Sequence, residues 1–180
     1  MVSSAERAAL GASGGPAQRA PAGSCIAAPE SPDPDAPGAA DRRTLRATVV
    51  KDVAELDGVR AAWDDLAVAS GKPLSAPSWL IPWWHEMAPE CAKPRVILVF
   101  EGADLVGVAP FYALRRGPMT SYRLFGTGMA TRNAPLAAPG RERDVAVVIA
   151  RTLARGRPRP GAVCFAEIDH DSEWPVLVAT

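Results

Sequence analysis

Two apolar segments separated by four turn residues constrain this chain more than any other feature. The segments "RVILVF" at 95–100 and "LVGVAPFYAL" at 105–114 are rich in β-branched and aromatic residues, which favour strands. The stretch "EGAD" at 101–104 between them contains a glycine, as tight turns often do. The sequence therefore predicts a β-hairpin. Pro110 lacks a backbone N–H, so we expect a bulge or an unpaired position at that point.

Upstream of the hairpin, the sequence predicts a strand and then a helix. "TLRATVV" at 44–50 alternates and carries β-branched residues, as a half-buried strand does. Asp52 has the position of a helix N-cap, and Gly71 has that of a C-terminal stop. The apolar residues between them recur at helical spacing and form one stripe: Leu56, Val59, Trp63 and Leu66.

A second, shorter helix is predicted within "SAPSWLIPWWHEMAPE" at 75–90. Ser78 is the expected N-cap, which would leave Pro82 near the first turn, where a proline is tolerated. Trp79 and Trp83 are four residues apart, so we expect them to share one face of this helix.

Three further elements and a last helical turn are predicted downstream of the hairpin. "SYRLF" at 121–125 has the pattern of a short strand, and "RERDVAVVIARTLAR" at 141–155 has that of an amphipathic helix. "AVCFAEI" at 162–168 predicts one more strand. Pro175 is suited to the first turn of a final helix.

The order β-α-α-β-β-β-α-β-(α) predicts an α/β (α+β) fold, with a mixed sheet flanked by helices. Residues 1–43 are rich in Ala, Gly, Pro and Ser and contain few large apolar side chains, so we expect a disordered tail. Residues 44–180 form the expected domain. The chain stops in the apolar segment "VLVAT" at 176–180, which predicts a fold that is incomplete at its C-terminus.

Composition narrows the classes of partner. Lys plus Arg and Asp plus Glu each number 20, so nothing indicates a nucleic acid or an anionic membrane as partner. No apolar run approaches the roughly 18 residues that a membrane helix needs. The three cysteines are far apart and lack C-x-x-C spacing, which argues against a metal site and favours a reducing, cytoplasmic location.

Three segments in this order carry a family resemblance. They are "WDDLAVAS" at 63–70, "PSWLIPWW" at 77–84 and "LVGVAPF" at 105–111. Together they resemble the CelD-like branch of the GNAT superfamily, whose members are often described as cellulose-biosynthesis or BioF-like acetyltransferases. The resemblance covers about residues 45–180.

The resemblance implies a tandem protein with two GNAT-like halves, in which acyl-CoA binds mainly to the second half. Only the first half is matched here. We therefore expect a truncated or half-length relative of an acyl-CoA-dependent N-acyltransferase that is not catalytically competent alone, with acetyl-CoA or another acyl-CoA as the family's cofactor. The alternative is a non-catalytic interaction module that docks on a separately encoded GNAT half or associates with itself.

One candidate cofactor site is the R-x-x-G-x-G pattern formed by Arg123, Gly126 and Gly128. GNAT acetyltransferases use this pattern to hold the pyrophosphate of acetyl-CoA on backbone amides at a helix start. Here Arg123 falls inside the predicted strand, and Pro135 and Pro139 oppose a helix at the glycines. A turn between strand and loop is therefore favoured over a phosphate cradle.

A second candidate is a substrate groove lined by Trp83, Trp84 and His85, with His85 as a general base. Packing of the tryptophans on the sheet, with His85 in solvent, is the favoured interpretation. Cys164 is expected to be a buried, inert thiol. The acidic stretch "EIDHDSE" at 167–173 has metal-binding residue types but is more typical of a solvated loop. No catalytic residue is assigned, and no metal site is predicted.

Overall fold

The computed structural model describes residues 44–129, 133–166, 168 and 172–179. In this part of the chain, one mixed sheet of six strands is flanked by helices, which confirms the predicted α+β class. The predicted tail, residues 1–43, lies outside the described residues. Apart from the two-residue strand β5, which falls in a segment predicted to be a loop, the elements follow the predicted order. Their bounds are β1 (Leu45–Val50), α1 (Arg60–Ala69), α2 (Pro77–Met87), β2 (Lys93–Glu101), β3 (Asp104–Arg116), β4 (Met119–Leu124), β5 (Leu136–Ala137), α3 (Glu142–Arg155), β6 (Ala162–Cys164) and α4 (Trp174–Ala179).

The sheet has the strand order β1-β2-β3-β4-β6, and β5 pairs with β3 beyond the end of β4. Neighbouring strands from β1 to β4 are antiparallel, whereas β6 is parallel to β4. The predicted hairpin is therefore confirmed as β2 and β3. Gly102 adopts a φ of 64° in its turn, a conformation that residues with a side chain rarely adopt. Every helix in the described part of the chain falls short of what is needed to cross a membrane.

Of the two alternatives expected at Pro110, the bulge is wrong, because Pro110 stays in register opposite Val96. The unpaired position is confirmed on the β4 side, where the strand pairs begin only at Phe111. The irregularity lies nearer the turn, between Val99 and Phe100, where β3 gains one residue. Pro110 accepts a hydrogen bond from the Phe125 N–H at 2.7 Å, so its polar edge faces the β4 side. Strand β4 has already ended at this level of the sheet, so the missing N–H of Pro110 leaves no hydrogen bond between strands unformed.

The first helical region begins at its predicted cap and ends at its predicted glycine. The Asp52 carboxylate accepts from the Ala54 N–H at 3.0 Å. A 3₁₀ segment, Val53–Val59, precedes α1, so the predicted single helix has two parts. Gly71, with φ at 64°, closes a Schellman motif in which the Lys72 N–H donates to the Ala67 carbonyl at 2.9 Å.

Two expectations about α2 are wrong. The helix begins at Pro77 with Ala76 as its cap, so Ser78 is not the N-cap, since a proline at the first position already fixes the helical φ. Pro82 consequently lies inside the helix instead of in its first turn. Trp79 and Trp83 also differ in environment: Trp79 is 41% exposed, whereas Trp83 is only 6% exposed because it packs on the sheet one turn further along.

The last strand is shorter than the predicted span 162–168. Strand β6 ends at Cys164 because its partner strand, β4, ends one residue after Arg123, which faces Cys164. Cys164, expected to be buried, is only half-buried. The final helix, with Pro175 in its first turn, is confirmed as α4.

The two faces of the sheet carry separate hydrophobic clusters. Helices α1 and α2 cover one face, and α3 and α4 cover the other. Helix α3 approaches β3 closely at Gly107, where an added Cβ would lie 2.4 Å from a methyl carbon of Val145. The glycine therefore allows this helix to pack on the sheet.

A buried polar network fastens the segment after β4 to the first face. The Ser75 hydroxyl oxygen lies 3.1 Å from the Asn133 side-chain oxygen and accepts from the Ala134 N–H at 3.3 Å. The Asn133 amide nitrogen donates to the Phe125 carbonyl. The Trp63 indole N–H donates to the Ser75 carbonyl at 2.9 Å. Because these buried groups satisfy one another, they fix the position of residues 133–134.

Candidate functional site

Four aromatic side chains from α2, β3 and the turn after β4 meet on the face of the sheet that α2 covers. Trp84 stacks on Phe125 with ring centroids 4.7 Å apart and an interplanar angle of 16°. Trp83 lies 5.9 Å from Tyr112 and 6.0 Å from Phe125, in tilted arrangements. We call this group the aromatic cluster (Trp83, Trp84, Tyr112 and Phe125). It joins α2 to the strand end that carries the R-x-x-G-x-G pattern.

Polar groups line one side of the aromatic cluster. Tyr112 on β3 faces Arg123 on β4, which in turn faces Cys164 on β6. Burial raises the pKa of Tyr112 above its ordinary value, and the nearby charge of Arg123 partly offsets that rise. The side chain of Thr127, in the turn after β4, also favours the ionised form of Tyr112, which lowers its pKa.

Two buried nitrogen donors belong to this region. In the described part of the chain, neither the indole nitrogen of Trp83 nor the Nε of Arg123 has a hydrogen-bond partner. A buried donor without a partner costs free energy, so such groups are suited to meeting water or a bound polar molecule. The region therefore offers two N–H donors to a water or a bound polar molecule.

The R-x-x-G-x-G segment forms a tight turn. Gly126 and Gly128 have φ values of 82° and 93°, which explains why glycine occupies both positions. The N–H groups of Thr127 and Met129 donate to the carbonyls of Leu124 at 3.3 Å and Gly126 at 3.1 Å. These amides are therefore paired within the protein.

No helix starts at these glycines within the described residues. Met129 is in a turn, residues 133–135 have no regular structure, and α3 begins only at Glu142. A phosphate site of the helix-start kind needs N–H groups that point at the ligand and a helix behind them. The described geometry supplies no helix at Gly126 and Gly128, and the neighbouring amides of Thr127 and Met129 are already paired.

Trp84 and His85 line a second feature, a cavity of about 490 Å³ next to the first helical region. Its wall also contains Asp52 and Asp57. Asp52 is occupied in capping, and Asp57 forms an ion pair with Arg60 at 2.9 Å. His85 is exposed, so this cavity offers a solvated imidazole beside an aromatic wall.

The structure brings together most of the residues that sequence reasoning had proposed separately. Trp83 and Trp84 contact Phe125, which lies between Arg123 and Gly126. His85 faces the neighbouring cavity, and Trp84 is shared between the cavity and the aromatic cluster. Trp83 is buried, so it forms part of the core and not of an open groove wall.

Tyr112 and Asn133 were missed by sequence reasoning. Strand alternation places Tyr112 on the face that α2 covers, but only the pairing of β3 with β4 places it opposite Arg123. Asn133 had no local signal, since it acts through a contact with Ser75, 58 positions away.

Of the acidic stretch at 167–173, Glu167, Asp169, His170 and Asp171 lie outside the described residues. The described residues hold no group of three or more His, Cys, Asp or Glu side chains that is placed to bind a metal ion.

Comparison of the chain with protein-family models, with curated proteins and with solved structures found no match.

Proposed function

We propose that this chain provides one half of an acyl-CoA-dependent acyltransferase of the CelD-like GNAT kind and does not transfer acyl groups by itself. The proposal combines two hypotheses. The first is that residues 45–180 are related to the first half of a CelD-like acyltransferase, and the second is that acyl-CoA binds to a second half. The order β-α-α-β-β-β that the resemblance implies for a first half agrees with the order of elements from β1 to β4.

The pairing of the glycine-turn amides is the observation that carries this proposal. A pyrophosphate is held by N–H groups that have no other acceptor. Those of Thr127 and Met129 already donate to the chain's own carbonyls. Acetyl-CoA is therefore expected to bind to a second half and not at Arg123, Gly126 and Gly128.

We expect this half to bind and position the acyl acceptor. In GNAT chemistry, as the resemblance implies, an amine or hydroxyl acceptor attacks the thioester directly, so positioning of the acceptor is itself a source of rate. The cavity lined by Trp84 and His85 has the aromatic wall and polar rim typical of small-molecule sites. We assign it as the candidate acceptor groove.

A thermal melt of the full chain with and without acetyl-CoA tests whether this half binds the cofactor by itself. A ligand at ~100 times its dissociation constant would add about 2.7 kcal/mol, or roughly 5–10 °C for a domain of this size. We expect no shift.

Gly126→Glu provides the contrast, with Gly102→Glu as its matched control, because both replace a glycine at positive φ in a turn. An upward shift with acetyl-CoA that Gly126→Glu abolishes and Gly102→Glu retains would contradict the proposal. That outcome would place the cofactor at the glycine turn after all.

A second candidate function is that of a non-catalytic interaction module, and α4 favours it. Val176 on this short helix is 68% exposed. Strand β1 is an edge strand of the sheet: among the described residues it pairs only with β2. Exposed apolar side chains and open strand edges are typical of surfaces that another chain covers.

Sedimentation velocity across a range of concentrations tests self-association of such a module. Val176→Asp is expected to weaken it, whereas Val147→Asp, which alters a 39% exposed valine on α3, should leave it unchanged. A monomer at every concentration would exclude the second copy as partner.

A cytoplasmic location belongs to the same proposal and is supported by the free thiols of Cys91 and Cys164.

A further inference from the structure

A cavity of about 340 Å³ lies on the opposite face of the sheet from the aromatic cluster, beside the C-terminal end of α3. Apolar side chains from three elements form its wall: Val49, Ile97 and Leu153. This volume is at the lower end of the range for small-molecule sites. The space is therefore large enough for a compact organic molecule.

The charged groups of this cavity are all cationic. Its lining contains Lys51, Arg95 and Arg157 but no aspartate or glutamate. In the described part of the chain, none of these three cations forms an ion pair. Three like charges around one cavity repel one another, and an anion between them would relieve that repulsion.

Arg95 adds a donor that lacks a partner. Its Nη1 donates to the Pro94 carbonyl at 2.7 Å, which orients the guanidinium. Its Nε is buried and, within the described residues, makes no hydrogen bond. A guanidinium presents several N–H groups in a fixed plane, which suits carboxylate and phosphate oxygens.

One contact with β4 and one with the end of α3 hold the rim that bears Arg157. The Tyr122 hydroxyl donates to the Pro158 carbonyl at 3.0 Å, and the Gly156 N–H donates to the Leu153 carbonyl at 3.1 Å. These contacts hold the residues on both sides of Arg157, so the backbone of the third cation is positioned before any ligand arrives.

The helix dipole does not account for these cations. Carbonyl groups at the end of α3 favour a nearby positive charge, and Arg157 follows that end directly. Arg95 lies on β2, and Lys51 follows β1, so neither belongs to the helix terminus. Lys51 also borders the cavity of Trp84 and His85, where carboxylates are present.

We propose that this cavity binds a small organic anion that has an apolar body and one carboxylate or phosphate group. The apolar body would contact Val49, Ile97 and Leu153, and the anionic group would pair with Arg95 and Arg157. This site is distinct from the proposed acceptor groove, because it uses neither the glycine turn nor His85 and the linings of the two cavities share only Lys51.

Titration of the full, isotope-labelled chain with benzoate and with phenyl phosphate, followed by NMR, tests the site. Saturable changes are expected in the backbone signals of Lys51, Arg95 and Thr152. Benzyl alcohol, which has the ring without the charge, and inorganic phosphate, which has the charge without the ring, should each bind at least about tenfold more weakly. The order of affinity of the two anionic probes distinguishes a phosphate ligand from a carboxylate ligand.

Variants separate charge from shape. Arg157→Gln is expected to weaken both probes about tenfold or more, because it removes a charge-assisted hydrogen bond. Arg159→Gln is the matched control, since Arg159 is exposed and does not line this cavity. Val49→Phe keeps every charge but fills the space, and a thermal melt confirms that it folds.

Three results would overturn the site. They are the absence of saturable binding at millimolar concentration, equal losses in Arg157→Gln and Arg159→Gln, and undiminished binding to a folded Val49→Phe variant.

Discussion

Phe125 and Trp84 stack face to face with 4.7 Å between their ring centroids, which ties the glycine turn after β4 to helix α2. Phe125 is fully buried, whereas Trp84 also borders the cavity that His85 lines. The glycine turn and the candidate acceptor groove are therefore linked by one ring contact. A change at Gly126 is expected to reach the groove through this ring pair, although the glycines and His85 do not line a common cavity.

The two tryptophans Trp79 and Trp83 should differ sharply when each is replaced by alanine. Trp83→Ala is expected to lower the free energy of unfolding by about 3–5 kcal/mol, because it removes a buried ring from the core. Trp79→Ala on the same helix should lower it by clearly less, because 41% of this side chain is already exposed in the folded chain. Urea unfolding followed by circular dichroism measures both. Similar losses in the two variants would mean that the helix packs differently.

The buried Asn133 should stabilise the segment after β4. Asn133→Ala removes one partner of the Ser75 hydroxyl and the side-chain donor to the Phe125 carbonyl, so a loss of about 1–3 kcal/mol in the free energy of unfolding is expected. Combining it with Ser75→Ala in a double-mutant cycle should give a coupling of about 0.5–3 kcal/mol. Strictly additive losses would show that the two side chains do not act together.

Gly107 and Gly58 should respond in opposite directions to replacement by alanine. A Cβ at Gly107 would lie 2.4 Å from a Val145 methyl carbon, so overpacking should cost about 1–3 kcal/mol. Val145→Ala in the same chain should restore part of that loss. At Gly58 nothing lies within 4 Å, and alanine should stabilise by about 0.4–1 kcal/mol. Thermal melts of the three variants check these signs.

The pKa of Tyr112 makes a prediction at alkaline pH. Since burial raises this pKa above 10.0 in the folded chain, the unfolded chain loses the proton first. The contribution of Tyr112 to stability is therefore fully present below 10.0 and is lost as the pH rises through the higher folded value. Tyr112→Phe should flatten this part of the stability profile, as measured by urea unfolding at a series of pH values.

Arg123 provides an internal check on that assignment. Its positive charge lowers the pKa of Tyr112, so Arg123→Gln should raise the pKa further and move the loss of stability to higher pH. An ultraviolet titration of the phenol follows this directly. A pKa of Tyr112 that falls in the Arg123→Gln variant would contradict the cross-strand arrangement.

Local sequence signals determined the elements of this fold. The apolar alternation of β2 and β3, the Asp52 cap and the Gly71 stop each act within a few residues, and all three are observed where they were predicted. The amphipathic stripe of α3 likewise suffices to define it, because a helix with one apolar face has one way to bury it. Such signals require no knowledge of distant residues.

Tertiary structure alone decided where the chemistry lies. Sequence patterns could propose Arg123 and Trp84 as separate candidates. Only the pairing of β3 with β4 places Tyr112 opposite Arg123, and only the packing of α2 stacks Trp84 on Phe125. The cationic cavity draws on β1, β2 and α3, which no local window contains. Likewise β6 ended early because β4 did. Local periodicity shows which face of an element is buried, but only long-range contacts determine which residues meet there.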